Sequence, residues 1–248
     1  MSVMDRWKKI TEIVNERELI TVQELCEELK ISEPTARRDL RFMEENNLIK
    51  RVPGGARSIS KMRINEYSID LRMSENIDAK RAIGKKAAEF IKDGDFIFLD
   101  SGSTAHFIID YIQAADILVV TNSVQHVQKL AEKNIQTYLL DGYIRFESLT
   151  ILGEETVEKL KTFNFDKAFI GVRGIDIKAG FTTVYPNDGE LKKQAILQSY
   201  QPFILADDSK FNVKKFFSFA KLDKAEIITN KPQKDFLNHA KIIVGSQE

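Results

Sequence analysis

The sequence is poorest in cysteine. One thiol, Cys26, in 248 residues excludes an intramolecular disulfide framework and fits a reducing compartment. Histidine is almost as scarce. His106, His126 and His239 are scattered without ligand-like spacing and there is no CxxC pair, so no metal is expected. No charge dominates either: 37 Lys and Arg offset 37 Asp and Glu, and charge has to be read locally. No stretch approaches the roughly 18 apolar residues of a membrane span, and Met1–Lys9 carries no signal-peptide core. No membrane partner is therefore expected, and the cytoplasm is the expected location. GxGxxG, GxxxxGK[ST] and Gly-x-Ser-x-Gly are all missing, which removes the dinucleotide fingerprint, the P-loop and the hydrolase elbow. No cofactor is expected. There is no internal repeat and no low-complexity segment.

What is present is a globular composition, 43% apolar and 30% charged, at a length suited to one or two domains. The pattern divides the chain into residues 1–57, a polar connector over 58–74, and residues 75–248.

In the first part, Trp7, Ile10, Ile13 and Val14 share one helical face. Thr21 with Glu24 spells a capping box ahead of an apolar stripe of Val22, Leu25, Cys26 and Leu29, where Cys26 reads as a small core residue. A third helix starts at Ser32 as N-cap with Pro34 in its first turn. Ala36, Leu40 and Met43 form its apolar face, and Thr35, Arg37, Arg38 and Arg41 the other. Leu48–Val52 reads as a strand, Pro53-Gly54-Gly55 as a tight turn, and Ala56 onward as a return strand.

Two helices joined by a short turn and followed by a basic hairpin form a winged helix-turn-helix pattern. From Lys30 to Arg63 the basic residues Lys30, Arg37, Arg38, Arg41, Lys50, Arg51, Arg57, Lys61 and Arg63 outnumber the acids Glu33, Asp39, Glu44 and Glu45 by nine to four. A solvated helix face braced by Glu33 and Glu45 would explain the arginines alone. It does not explain the order of cap, turn, arginines and Gly-Gly wing. The expected partner is double-stranded DNA, contacted by Thr35, Arg37, Arg38, Arg41, Lys50, Arg51, Gly54 and Gly55. The connector is expected to be partly helical over Asn65–Met73.

Beyond it, amphipathic helices alternate with short β-branched strands: Phe96–Leu99, Ile117–Val120, Tyr138–Leu140, Ala168–Ile170, Phe203–Ala206, Ile227–Ile228 and Ile242–Val244. That alternation indicates a mostly parallel α/β sheet, in which ligands sit beyond the strands' carboxyl ends. Polar residues cluster there. Asp100-Ser101-Gly102-Ser103-Thr104 combines a glycine that admits a ligand, hydroxyls, and the start of a helix, a chemistry suited to a phosphate or sugar hydroxyl. Thr121, Asn122, Asp176 and Lys210 add polar ends on other strands, each weak alone. Lys210 would supply positive charge or sit as a surface lysine.

On these residues the chain resembles the DeoR family of bacterial transcriptional regulators. In the reader the resemblance rests on Ile31-Ser32-Glu33-Pro34-Thr35-Ala36-Arg37-Arg38-Asp39-Leu40 and on Leu48-Ile49-Lys50-Arg51-Val52-Pro53-Gly54-Gly55-Ala56. In the second part it rests on Gly94–Thr104, Val120–Ser123, Lys167–Gly171, Gly174–Asp176, Gly180–Thr183 and Ala206–Phe211. The resemblance implies a sensor domain related to ribose-5-phosphate isomerase, and a phosphorylated sugar near the Ser-Gly-Ser-Thr loop that controls DNA affinity. The family's Gly-Gly after the third strand is Asp141-Gly142 here, an acid unsuited to an anionic ligand. The family's Glu…Lys pair is laid onto Glu190 with either Lys192 or Lys193, since one residue of slip rotates a helical side chain by about 100°.

The expectation is a repressor of a sugar-utilisation operon, acting as a homodimer or homotetramer and not as an enzyme. Two other readings remain: an isomerase fused to a DNA-binding domain, with Asp100, Asp176 and Glu190 as potential bases, and a DNA-binding scaffold with an empty sensor.

Overall fold

A computed structural model describes residues 3–17, 19–46, 48–58 and 69–245, in two compact units, 1–68 and 69–248. In the first unit the element order is α1 (Val3–Arg17), β1 (Leu19–Thr21), α2 (Val22–Leu29), α3 (Glu33–Glu45), β2 (Lys50–Val52) and β3 (Gly55–Arg57). The Thr21–Glu24 capping box closes in both directions, the Thr21 hydroxyl accepting from the Glu24 N–H and the Glu24 carboxylate from the Thr21 N–H. Lys30 ends α2 in the left-handed conformation. Ser32 occupies the N-cap of α3, but its hydroxyl meets that of Thr35 at 2.9 Å and makes no bond to a helix N–H.

The wing has a third strand that the sequence pattern does not show. β1 pairs antiparallel with β3, which pairs with β2. Three residues between two helices are too few to display strand alternation, so only pairing identifies β1. Leu48 and Ile49 are buried ahead of β2, which begins at Lys50. Ile10, Val14, Ile20, Leu25, Ala36, Leu40 and Met43 are buried within this unit.

Of the connector, Ile69–Ser74 is a helix, α4, and residues 59–68, including Lys61 and Arg63, lie outside the described residues. The second unit continues with α5 (Ile77–Ala88), β4 (Phe96–Leu99), α6 (Ser103–Tyr111), β5 (Leu118–Thr121), α7 (Val124–Glu132), β6 (Gln136–Leu139), β7 (Tyr143–Arg145), β8 (Thr150–Leu152) and α8 (Glu154–Leu160). Then come β9 (Phe165–Gly171), β10 (Gly174–Asp176), β11 (Gly180–Thr183), α9 (Pro186–Leu197), β12 (Ser199–Leu205), β13 (Phe217–Ala220), β14 (Glu226–Thr229) and β15 (Ile242–Val244).

Seven strands form a parallel sheet in the order β15-β14-β12-β9-β4-β5-β6. Its alternating side chains supply two cores. Phe98, Val120, Ala168, Ile170 and Ile204 pack with Leu160 and Leu191 from α8 and α9. Ile97, Leu99, Val119, Phe169 and Phe203 pack with Ile83, Ile108 and Leu130 from α5, α6 and α7. The sequence shows both cores as continuous apolar runs because a sheet covered on both faces buries every position. Two smaller antiparallel sheets, β10-β11-β13 and β7-β8, add to the parallel sheet.

The chain leaves β4 in one direction, through β5 to β6, and leaves β9 in the other, through β12 to β14 and β15. The carboxyl ends of β4 and β9 thus flank the point where strand order reverses, the usual ligand crevice of an open α/β sheet.

Candidate functional site

In the first unit α3 carries the interface. At about 100° per residue, Arg37, Arg38 and Arg41 fall on one arc, opposite the buried Ala36, Asp39, Leu40 and Met43. Asp39 faces inward for a reason. Its carboxylate accepts from Arg6 Nε at 2.5 Å, Arg6 Nη2 at 3.1 Å and Trp7 Nε1 at 3.0 Å, while Trp7 stacks on Phe42 with centroids 4.0 Å apart. Hydrogen bonding to Asp39 pushes the Arg6 guanidinium up from its ordinary value. α1 therefore fixes the rotation of α3, and with it the direction of the arginines.

The cations divide into two groups. Arg37 is bound to Glu33 at 2.6 Å, and Arg51 lies 3.6 Å from Glu44, which also accepts the Arg51 backbone N–H at 2.9 Å. Arg38, Arg41 and Lys50 are exposed and make no ion pair among the described residues. A groove of about 430 Å³ runs between α3 and the wing, lined by Arg37, Glu44, Arg51, Pro53 and Gly54. Gly54 sits at the exposed wing tip with φ +81, open to an approaching backbone. Gly55 does not share that role. It is buried, and a Cβ there would lie 2.1 Å from the Ile20 carbonyl oxygen, so it serves the β1–β3 contact.

In the second unit the polar residues gather at the reversal point. Asp100, fully buried, accepts at Oδ2 from the Gly171 N–H at 2.9 Å and from Lys192 Nζ at 2.5 Å. Lys192 also lies 3.4 Å from Asp188, which accepts from the Thr183 hydroxyl at 2.6 Å. Burial pulls the Lys192 ammonium down, but the two carboxylates outweigh it and hold its pKa above the ordinary value. Asp188, beside this cation, is held below its ordinary value despite burial.

The Ser101 N–H donates to Asn122 Oδ1 at 3.0 Å, and the Thr150 hydroxyl lies 2.9 Å from Ser101 Oγ. Gly102 and Gly171 pass so close that a Cβ on either would be 3.5 Å from the other's Cα. Gly102 is the N-cap of α6 and gives no side-chain cap, so the first N–H groups of the helix, at Ser103 and Thr104, are left for another acceptor. Two buried polar atoms here have no partner among the described residues: Asp100 Oδ1 and Asn122 Nδ2.

Asp100, Ser101, Gly102, Ser103, Thr104 and Asn122 thus come together. Thr121 is adjacent, but its hydroxyl donates to the Leu99 carbonyl at 2.6 Å and ties β5 to β4. Asp176 closes its own hairpin, accepting from the N–H groups of Lys178 and Ala179. Glu190 is exposed, 3.7 Å from Lys193. The lysine that reaches Asp100 is Lys192, and its partner one turn earlier is Asp188. Residue 190 lies about 200° around the helix from residue 192 and cannot share its face. The i,i+4 spacing of Asp188 and Lys192 was the available signal. Lys210 follows β12, 3.6 Å from the buried Asp207. Asp141 is exposed, with its backbone carbonyl bound by Thr156. The three carboxylates considered as catalytic bases are engaged with different partners and do not form one site.

Among the described residues, no group of three or more His, Cys, Asp or Glu side chains could hold a metal, and no helix is long and apolar enough to cross a membrane.

Comparison with known proteins follows this division. Residues 6–62 match the DeoR-like helix-turn-helix domain and residues 75–231 the DeoR C terminal sensor domain. The chain is 38% identical over 230 residues to the HTH-type transcriptional regulator FruR of Bacillus subtilis, covering 92% of this chain and 91% of that protein. It is 35% identical to the HTH-type transcriptional repressor GlcR of the same organism, covering 90% and 86%. To the lactose phosphotransferase system repressor of Streptococcus mutans it is 32% identical, covering 93% of each. Among solved structures, ribose 5-phosphate isomerase A of Methanocaldococcus jannaschii superposes with a TM-score of 0.41 at 19% identity over 55% of each chain.

Proposed function

The chain belongs to the DeoR family of DNA-binding transcriptional regulators, and from that premise we propose that it represses a sugar-utilisation operon under the control of a phosphorylated sugar. Relatives named as a lactose phosphotransferase system repressor and as the repressor GlcR support the sugar-related repressor reading.

The observation that carries the effector assignment is the uncapped start of α6 beside two unpartnered buried atoms. Free N–H groups at Ser103 and Thr104 suit a phosphate. Asp100 Oδ1 is an acceptor and Asn122 Nδ2 a donor, a pair suited to sugar hydroxyls. Lys192 is buried between Asp100 and Asp188, so the partly exposed Lys210, held only loosely at 3.6 Å from Asp207, is the cation assigned to the phosphate. Asp176 and Glu190 are not retained in this site.

On DNA, α3 enters the major groove. Arg38 and Arg41, which make no ion pair among the described residues, are assigned to base edges, and Lys50 with the wing tip at Gly54 to the phosphate backbone. Thr35 and the Glu33-held Arg37 flank them. Arg51 is held beside Glu44 for a backbone contact. One such unit buries little area, so paired half-sites and a homodimer or homotetramer follow.

A thermal-shift panel of hexose and pentose phosphates, each beside its unphosphorylated parent, tests the effector. Ligand at about 100 times its dissociation constant stabilises the native state by roughly 2.7 kcal/mol. A shift with a phosphosugar and none with its parent supports the reading, and no shift with any member removes it. On DNA, Lys50→Ala should weaken binding to all sequences alike, while Arg38→Ala should relax discrimination at one base position. Equal losses from both would overturn the base-reading assignment.

A further inference from the structure

Helix α4 is six residues long; its start is tied to the loop before Thr150, and the elbow just past its end to the loop after β12, the strand whose Leu205 pairs with Gly171 of β9 beside Asp100. At its start, the Ile69 N–H donates to the Glu147 carbonyl at 2.9 Å, and Ile69 is buried. Glu147 precedes Ser148 and Thr150, and the Thr150 hydroxyl lies 2.9 Å from Ser101 Oγ in the Ser-Gly-Ser-Thr loop. At its far end, Lys80 reaches back from α5. Lys80 is buried, and its ammonium donates to the backbone carbonyls of Arg72 and of Glu75, the latter at 2.6 Å. These are carbonyls at and just past the end of α4, which the helix itself leaves unbonded.

The same elbow touches the other border of the site. Asn76, held in the left-handed conformation at φ 50, donates from Nδ2 to Asp207 Oδ1 at 3.5 Å. Asp207 accepts from the Ser209 N–H at 3.0 Å and lies 3.6 Å from Lys210 Nζ. Lys80 senses this group as well. Burial pushes its ammonium down to about 8, while Asp207 raises it and Lys210 lowers it.

We infer that α4 carries the state of the sensor site toward the DNA-binding unit, with Lys80 and Asn76 as the positioning residues that tie it to the Asp207–Lys210 loop. The inference rests on the sensor reading above and adds its route. α4 is the part of the connector that belongs to the second unit, and the chain before it leads to the reader. A ligand group that draws Lys210 away from Asp207 alters the field on Lys80 and the hold of Asn76. With Lys210 withdrawn, Asp207 pulls harder on the Lys80 ammonium, against the hold of the carbonyls at the end of α4. Such a link works only because the ligand favours one arrangement over the other.

The test uses the full chain and a duplex that the wild type selects from a random-sequence library, at one fixed salt concentration. Dissociation constants are measured for wild type, Lys80→Met, Lys80→Arg and Asn76→Ala. Each is repeated with glucose 6-phosphate, fructose 6-phosphate, fructose 1-phosphate and their parent sugars. The expected result is a change of DNA affinity of about 5- to 150-fold in Lys80→Met and Asn76→Ala, although neither residue belongs to the reader. Lys80→Arg, which keeps a cation against the two carbonyls, should restore wild-type affinity. A purely structural role for Lys80 would not give the same direction of change in Asn76→Ala, whose side chain is exposed. If Lys80→Met does not fold, Asn76→Ala decides alone. DNA affinities within twofold of wild type in the variants overturn the inference, whatever the sugars do. A wild type indifferent to every phosphosugar counts against the effector reading, and the variants still decide the route.

Discussion

Removing Asp39 should unfold the DNA-binding unit while leaving the sensor intact. The carboxylate is 2% exposed and Arg6 8%, and three donors converge on it at 2.5, 3.1 and 3.0 Å. Asp39→Ala leaves the Arg6 guanidinium buried without its anion and the Trp7 N–H without its acceptor. Breaking a buried pair in this way costs about 3–5 kcal/mol, against a total of roughly 3–9 kcal/mol for a unit of some 60 residues. At about 4–8 °C per kcal/mol for a domain this small, the midpoint should fall by on the order of 15 °C or more. The assay is built into the chain. Trp7 is the sole tryptophan and stacks on Phe42, so its fluorescence follows the reader unit alone. Far-ultraviolet circular dichroism follows both units, and the sensor appears in it as a transition that stays in place when the fluorescence midpoint moves. The double variant Arg6→Met/Asp39→Leu removes both charges at once and should recover most of the loss, because apolar packing there carries no desolvation cost. A single variant whose fluorescence midpoint moves by under about 4 °C would refute the argument, as would a double variant no better than the single.

Three further outcomes are expected. Lys192→Met should destabilise the sensor in urea by about 3–5 kcal/mol, since Asp100 and Asp188 lose their cation, whereas Lys193→Met on the exposed face should change it by under about 0.5 kcal/mol; equal effects would discredit the assignment. Gly54→Ala should cost about 1–2 kcal/mol for its positive φ, and Gly55→Ala more, because its Cβ would collide with the Ile20 carbonyl; the reverse order in fluorescence-monitored unfolding would contradict the wing geometry. Burial lowers His106 to about 4 and holds His126 well below its ordinary value, so the unfolded chain takes up protons first as pH falls. Their contribution is complete above the unfolded value near 6.5 and declines toward pH 4, so the sensor's urea midpoint should drop between pH 7 and pH 5. A midpoint that is flat or rises on acidification would rule that out.

Local rules were readable where a few neighbouring residues decide the structure. The Thr21–Glu24 box, the apolar face of α3, the tight turn at Gly54 and the buried strands of the parallel sheet each follow from spacing within a single element. The basic arc on α3 was visible for the same reason, because 100° per residue turns sequence into a face. The elements that escaped notice were short strands defined by a partner: β1, β7, β8, β10, β11 and β13. A strand of three or four residues shows too little alternation to declare itself.

In the sensor, the Asp100–Thr104 loop could be singled out because a strand, a glycine and a helix start are contiguous. What could not be read was which distant residues it meets. Lys192 is 92 positions from Asp100, and whether it or Lys193 turned inward depended on the packing of α9. Thr150 reaches Ser101 across 49 positions, and Asn76 reaches Asp207 across 131.

The sequence by itself determined the two-part organisation, the capping box, the gathering of arginines on one helical face and the location of polar loops after strands. All of these arise from short-range sterics, hydrogen bonding and hydrophobic periodicity. The tertiary structure alone decided that Asp39 is an internal anchor and that Gly55 is a packing position. It also decided that Asp100, Lys192 and Asp188 form one network and that strand order reverses beside them. Those features depend on which buried charges find partners once the chain is folded, and a buried charge takes its partner from whatever element the topology brings near.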